Sequence, residues 1–258
     1  MLYSYLEATI LTINGLNVNY TDTGGDFPVL LLLHGWGCKG ETYRPLIDPL
    51  STRYRVIAPD LPGFGSTSEP SEPWGVGDYA AFVRAFCGEL ELSGITLFGH
   101  SLGGRIIIKL IAEYNFTCGK VILTGAAGIK PRKSLTQKLR TCVFKTGKVF
   151  LKPFPRLKQK LQNRSGSADY RAASPMMRQC LVKIVNEDLT PLLPLVNRNV
   201  LLIWGDQDDS TPLSDGQLME QKMPDAGLAV IKNAGHYAFF DQPELFGRIL
   251  DAFLEGEV

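Results

Sequence analysis

The sequence predicts an α/β protein, a mostly parallel sheet flanked by helices. Short, wholly apolar runs end in turns again and again: "PVLLLLHG", "YRVIAPD", "ITLFGH", "KVILTGA" and "NVLLIWGD". Such runs suit strands buried on both faces. Stretches with helical spacing lie between them, and strands alternating with helices imply helices laid on a parallel sheet. The length of 258 residues allows a sizeable core, and 45% hydrophobic with 21% charged residues is ordinary for a soluble globular chain.

Each element has its own signal. "ATILTINGLNVNYTDTG" holds two β-rich runs around Asn14-Gly15, a strong hairpin signature. Residues 76–92 place Val76, Phe82, Val83, Phe86 and Leu90 on one helical face, and residues 102–114 are apolar nearly all round, as in a buried helix. A strand-like "LAVI" and the helical "QPELFGRILDAFL" close the chain. Residues 129–198 interrupt the alternation. Within them Ser174-Pro175 reads as an N-cap followed by proline at N1, opening a helix with Met177, Leu181 and Ile184 on one face. Residues 134–151 place Leu135, Leu139, Cys142, Val143, Val149 and Phe150 on a second helical stripe.

Chemistry concentrates at Gly99-His100-Ser101-Leu102-Gly103, between a strand and a buried helix. A sharp strand-to-helix turn lifts Ser101 clear of the sheet, and the flanking glycines permit close packing. Free N–H groups at the helix start, that of Leu102 first, could hold an oxyanion. A serine nucleophile needs a base, and the chain has three histidines. His34 ends an early strand and His100 sits on the corner itself; both read as structural. His236, in a loop before the last helix, can reach back over the sheet. The base needs an acid to orient it, and "LLIWGDQDDSTP" offers Asp206, Asp208 and Asp209.

With these residues in place the sequence resembles the α/β-hydrolase family across roughly residues 28–128 and 199–256. The resemblance rests on "HGWG", "DLPGFGSTS", "GHSLGG", "WGDQDDSTP" and "GHYAFFDQPE", five motifs in the family's order. It implies an α/β-hydrolase fold with a core of residues 1–128 and 199–258 and a helical lid inserted at 129–198. It also implies a catalytic triad of Ser101, Asp208 and His236. The WGxxDxxxP pattern selects Asp208, with Asp209 as the runner-up. The oxyanion hole would use the backbone N–H groups of Trp36 and Leu102. No metal and no cofactor is implied.

A serine at the elbow disfavours the family's dehalogenases and epoxide hydrolases, which use aspartate. Prolyl aminopeptidases usually show GGSWG, absent here. Carbon–carbon bond hydrolases typically carry Asn before the nucleophile and Trp after the histidine, where this chain has His100 and Tyr237. The expectation is a serine hydrolase of carboxylic esters acting through an acyl-enzyme. A carbon–carbon bond hydrolase or lyase on the same scaffold, and a receptor-like member with little turnover, are the alternatives.

The charge distribution bears on partners. From Lys130 to Ala168 there are twelve Lys/Arg and no Asp/Glu, while the rest of the chain carries fifteen basic and all twenty-six acidic residues. A basic lid can meet an anionic membrane surface, steer an anionic substrate, or simply form a solvated face balancing an acidic body. The solvated face is favoured over membrane contact, and the expected partner is a small ester, possibly anionic. The net charge of +1 gives no global pull toward nucleic acid. Five dispersed cysteines without CxxC spacing suggest reduced thiols and a cytoplasmic setting. The N-terminus does not read as a signal peptide.

Overall fold

A computed structural model describes residues 9–130 and 167–256. Eight strands form one sheet: β1 (Thr9–Ile13), β2 (Leu16–Asp22), β3 (Val29–Leu33), β4 (Arg55–Pro59), β5 (Thr96–His100), β6 (Val121–Thr124), β7 (Val200–Gly205) and β8 (Ala226–Ile231). Their order is β1-β2-β4-β3-β5-β6-β7-β8, antiparallel at β1/β2 and β2/β4 and parallel from β4 onward. This is the α/β-hydrolase arrangement. Asn14 (φ 49°) and Gly15 (φ 81°) both adopt positive φ, as the expected two-residue hairpin demands, and pair Ile13 with Leu16.

The buried strands divide their side chains between two cores. Leu31 and Leu33 of β3, Val121 and Leu123 of β6, and Leu202 and Trp204 of β7 face one way. Leu30, Leu32, Ile122 and Ile203 face the other. The first face is covered by α2 (Val76–Glu89), which buries Phe82, Val83 and Phe86, and α3 (Leu102–Tyr114), which buries Ile106, Ile107, Ile108 and Leu110. On the second face lie α1 (Arg44–Leu50) and a terminal helix at Pro243–Glu255, whose Phe246, Leu250 and Leu254 recur every fourth residue. Each such side chain withdrawn from water contributes about 1.5–3 kcal/mol. That is why strands with no polar alternation are confined to the middle of the sheet.

Of the expected lid, the helix over 134–151 lies outside the described residues. The described remainder begins with α4 (Ala168–Ala172) and α5 (Pro175–Asn186), followed by a 3₁₀ turn at Thr190–Leu195. α5 starts as its sequence indicates: the Ser174 hydroxyl accepts from the Met177 N–H at 3.1 Å, and Pro175 occupies N1. It buries Met177, Cys180, Leu181 and Ile184. Where the chain rejoins the core, the Leu189 N–H donates to the Gly128 carbonyl at 2.9 Å. Two short helices of the core follow, α6 (Leu213–Lys222) and α7 (Ala238–Asp241), and the terminal helix is α8. Among the described residues no helix is long and apolar enough to cross a membrane. Cys38, Cys87, Cys118 and Cys180 are buried free thiols.

Two fully buried histidines pin the carboxyl edge of the sheet. The Leu61 N–H donates to His34 Nε2 at 2.9 Å, so the ring proton sits on Nδ1 and is given to the Gly35 carbonyl at 2.7 Å. His100 receives the Tyr43 hydroxyl on Nδ1 at 2.6 Å and donates from Nε2 to the His236 carbonyl at 3.0 Å. Burial holds His34 down at about 4; burial first, and then repulsion from His236, holds His100 at about 3. In the unfolded chain both protonate near the ordinary value of about 6.5. Between these limits the unfolded state binds the additional protons, so stability is full above pH 6.5 and falls as the pH drops toward 4. The two histidines contribute up to about 2.7 kcal/mol per pH unit, roughly two groups at ~1.36 each, and Asp215, raised to about 6 by burial and by Asp208, offsets about one of these protons between pH 6 and 4. Denaturant midpoints between pH 7 and 4.5 check this, and absence of proton uptake on unfolding at pH 5 would contradict it.

Candidate active site

β5 ends at His100 and α3 begins at Leu102, so Ser101 alone turns the corner. Its backbone sits at φ 50°, ψ −107°, a region that costs a non-glycine residue about 1–3 kcal/mol. The surroundings hold it there. The Ser101 N–H donates to the Thr124 carbonyl at 3.2 Å, and its own carbonyl accepts from Ala127 at 3.0 Å and Arg105 at 3.2 Å. A Cβ on Gly103 would stand 2.0 Å from the Leu33 carbonyl oxygen. Only glycine lets the first turn of α3 press that closely against β3, and that contact fixes the height of Ser101 above the sheet.

Asp208 lies beyond the end of β7 and His236 in the loop after β8. They meet with Asp208 Oδ2 2.8 Å from His236 Nδ1. Asp208 is 5% exposed, and its other oxygen accepts the N–H groups of Ser210 (2.8 Å) and Thr211 (2.9 Å). Burial raises the carboxyl, but hydrogen bonds from His236 and Thr211 outweigh it and leave Asp208 below the usual carboxylate value. Asp206 and Asp209 are exposed. The pair is roofed by backbone: Gly125 has φ +48°, and a Cβ there would stand 3.0 Å from His236 Nδ1. Asp215, half-buried near this carboxylate, is pushed up to about 6 by burial and by Asp208.

Trp36 follows β3 in the His34-Gly35-Trp36-Gly37 turn, and no described acceptor takes its N–H. Leu102, the first residue of α3, keeps its N–H free of intrahelical bonding. A relay ties this turn to the base. The Gly35 N–H donates to the Tyr43 hydroxyl at 3.0 Å, Tyr43 donates to His100, and His100 donates to the His236 carbonyl. His100 is therefore a strut between two loops, a use of the residue that the sequence reading, which took it as structural, did not specify. Tyr43 and Thr211 were not singled out at all. Thr211 carried a local signal, since it lies three residues after Asp208 in "WGDQDDSTP", whereas Tyr43 reaches the site only through the fold.

Ser101, His236, Trp36 and Leu102 line one cavity of about 320 Å³. Leu181, Ile184 and Val185 of α5 wall it, and Arg105, Asp169 and Tyr237 also border it. An adjoining cavity of about 380 Å³ shares Trp36 and Asp169 and runs toward Phe64 and Met177. Among the described residues no group of three His, Cys, Asp or Glu side chains is placed to share a metal ion. The arrangement offers a hydroxyl on a raised corner, a histidine oriented by an ionised carboxylate, and two unspent backbone donors. That set suits attack on a carbonyl.

Comparison with known proteins agrees with this architecture. The chain is 27% identical over 260 residues to a pimeloyl-[acyl-carrier protein] methyl ester esterase of Aeromonas hydrophila, covering 89% of this chain and 96% of the relative. It is 26% identical over 266 residues to the 2-hydroxy-6-oxo-2,4-heptadienoate hydrolase of Pseudomonas putida, covering 94% of each. Among solved structures, a bacterial membrane phospholipase A superposes with a TM-score of 0.78 at 28% identity, over 97% of this chain and 86% of the other. The sequence profile of the alpha/beta hydrolase family matches residues 30–249. With most of its length inside that profile and the family's sheet order in its fold, this chain belongs to the alpha/beta hydrolase family.

Proposed function

We propose that the protein is a serine hydrolase that cleaves a carboxylic ester through an acyl-enzyme on Ser101. The observation that carries this reading is the shared cavity: Ser101 on its corner faces the same space as His236, whose other ring nitrogen is bonded to Asp208.

In this reading Ser101 Oγ attacks the ester carbonyl carbon while His236 Nε2 takes the hydroxyl proton. The oxyanion is received by the N–H groups of Trp36 and Leu102. Asp208 remains ionised and steadies the imidazolium. Collapse breaks the C–O bond, and His236 returns its proton to the departing alcohol. Water then attacks the acyl carbon with His236 again as base, which releases the carboxylic acid and restores Ser101. The Aeromonas relative, named a methyl ester esterase, supports the ester reading. The name of the Pseudomonas relative keeps carbon–carbon bond hydrolysis as the second reading. His100 and Tyr237, standing where such enzymes typically carry Asn and Trp, weigh toward the ester. The lid's basic run, which falls mainly outside the described residues, leaves a bland solvated face as the proposal for that segment.

Ser101→Ala should abolish hydrolysis of p-nitrophenyl acetate, with a loss of several orders of magnitude in kcat and an unchanged circular dichroism spectrum. Turnover near that of the wild type would refute the nucleophile. Asp208→Asn should cost roughly 10⁴-fold in kcat, because an amide favours the wrong histidine tautomer. Asp209→Asn, altering an exposed side chain, should cost less than threefold. Stopped-flow and steady-state assays of both variants separate the two acids, and a larger loss at Asp209 would reverse the assignment.

A further inference from the structure

Arg105 is the one Lys or Arg among the fully buried residues of the described chain, at 5% exposure. Buried cations ordinarily have a carboxylate partner. Arg105 has none within ion-pair distance among the described residues: the nearby Glu187 carboxylate is bonded instead to Lys109 at 2.7 Å. Burial pulls the guanidinium down to about 10, partly offset by Glu187 and Asp188. Its Nη1 donates to two backbone carbonyls at the end of α5, Ile184 at 2.6 Å and Glu187 at 2.8 Å.

These two bonds consume one corner of the guanidinium. Among the described residues no acceptor takes Nε or Nη2, yet neither is a sealed, partnerless polar atom. The space that Arg105 borders is the Ser101 cavity. Arg105 lies one helical turn after Ser101 on α3, with its own N–H on the Ser101 carbonyl, so its Cα stands only about 6 Å along the helix axis from that of Ser101. Among the described residues the only acid bordering the cavity, Asp169, is exposed.

We propose that the Nε–Nη2 edge of Arg105 binds a carboxylate of the substrate, which makes the preferred ester a short half-ester of a dicarboxylic acid. Two parallel N–H groups match the two oxygens of a planar carboxylate. A cavity of about 320 Å³ has room for such a molecule, and the short reach from Ser101 to Arg105 favours a short acyl chain. The reading deepens the proposed ester hydrolysis and rests on it, although the binding itself does not require Ser101 to react.

Two measurements test it. In the first, calorimetry follows succinate and monoethyl glutarate binding to Ser101→Ala protein, with and without a second change of Arg105→Met. Binding that weakens by roughly ten- to a hundredfold with Arg105→Met is expected, the worth of a hydrogen bond to a charged group. Equal binding by both proteins would overturn the proposal whether or not Ser101 is the nucleophile. The second measurement compares kcat/KM for monoethyl and diethyl glutarate. The wild type should favour the half-ester, and Arg105→Met should reverse that preference. Arg105→Lys should retain part of it, because a charge without the planar edge remains. Lys109→Met disturbs the same end of α5 without bordering the cavity and should leave the preference intact. A preference for the diester in the wild type, or an equal loss on both substrates in Arg105→Met and Lys109→Met, would reduce Arg105 to a prop for α5.

Discussion

The close approach of α3 to β3 governs the rest of the site. Gly103 lets the first turn of the helix rest on the Leu33 carbonyl, which forces the chain to turn within the single residue Ser101. The strain at φ 50° is tolerable because the isoleucines of α3 are sunk in the larger core. Their burial contributes several times what the corner costs. The energy that seals the core thus also keeps a hydroxyl in a conformation it would not choose. The same helix carries Arg105 one turn further on, so the corner sets the position of two cavity groups at once.

The second organising feature is polar. The Gly35–Tyr43–His100–His236 relay runs beneath the cavity and uses every hydrogen-bonding group of the His100 ring. Each donor in it has one acceptor, so the tautomer of His100 is fixed and the ring cannot flip without orphaning a buried group. A loop after β3 and a loop after β8 lie far apart in sequence. Coupled in this way, they cannot drift independently, and the space between the Trp36 N–H and the imidazole of His236 keeps its dimensions.

Much of this was legible from local pattern. Asn14-Gly15, the apolar strands, the Ser174-Pro175 start and the all-apolar α3 each carry their signal within a few residues, and the structure places them accordingly. The meeting of Asp208 with His236 was legible only through motif order. The WGxxDxxxP spacing already selects Asp208 over Asp209, and the physical distinction is burial and the N–H groups of Ser210 and Thr211. α1 and α6 escaped notice. α1 has only seven residues and contains Pro49, and α6 buries only Gly216 and Met219, so neither shows a sustained apolar stripe. Tyr43 was out of reach for a different reason: its partners, Gly35 and His100, come from two other segments of the chain.

The hydrogen bond between Leu189 and Gly128 has a consequence for how such a protein changes over time. The chain leaves the core near Gly128 and returns near Leu189, and the two points are joined by the Leu189–Gly128 bond and by the Lys130 ammonium on the Asn186 carbonyl. The core is also tied to α5 through Arg105 and Lys109, while the entropy of closing the intervening loop grows slowly with its length. Loop length between these two points can change at small entropic cost, whereas α5, which buries Met177, Cys180 and Ile184 in the larger core, cannot be exchanged without repacking it. Ser101 and the Asp208–His236 pair stand at the ends of strands of the sheet, whereas α5 supplies one wall of the cavity. Arg105 sits on α3 beside the corner, so on the proposed reading the group that reacts and the group that selects the substrate travel together in one helix, and α5 shapes only a wall of the cavity.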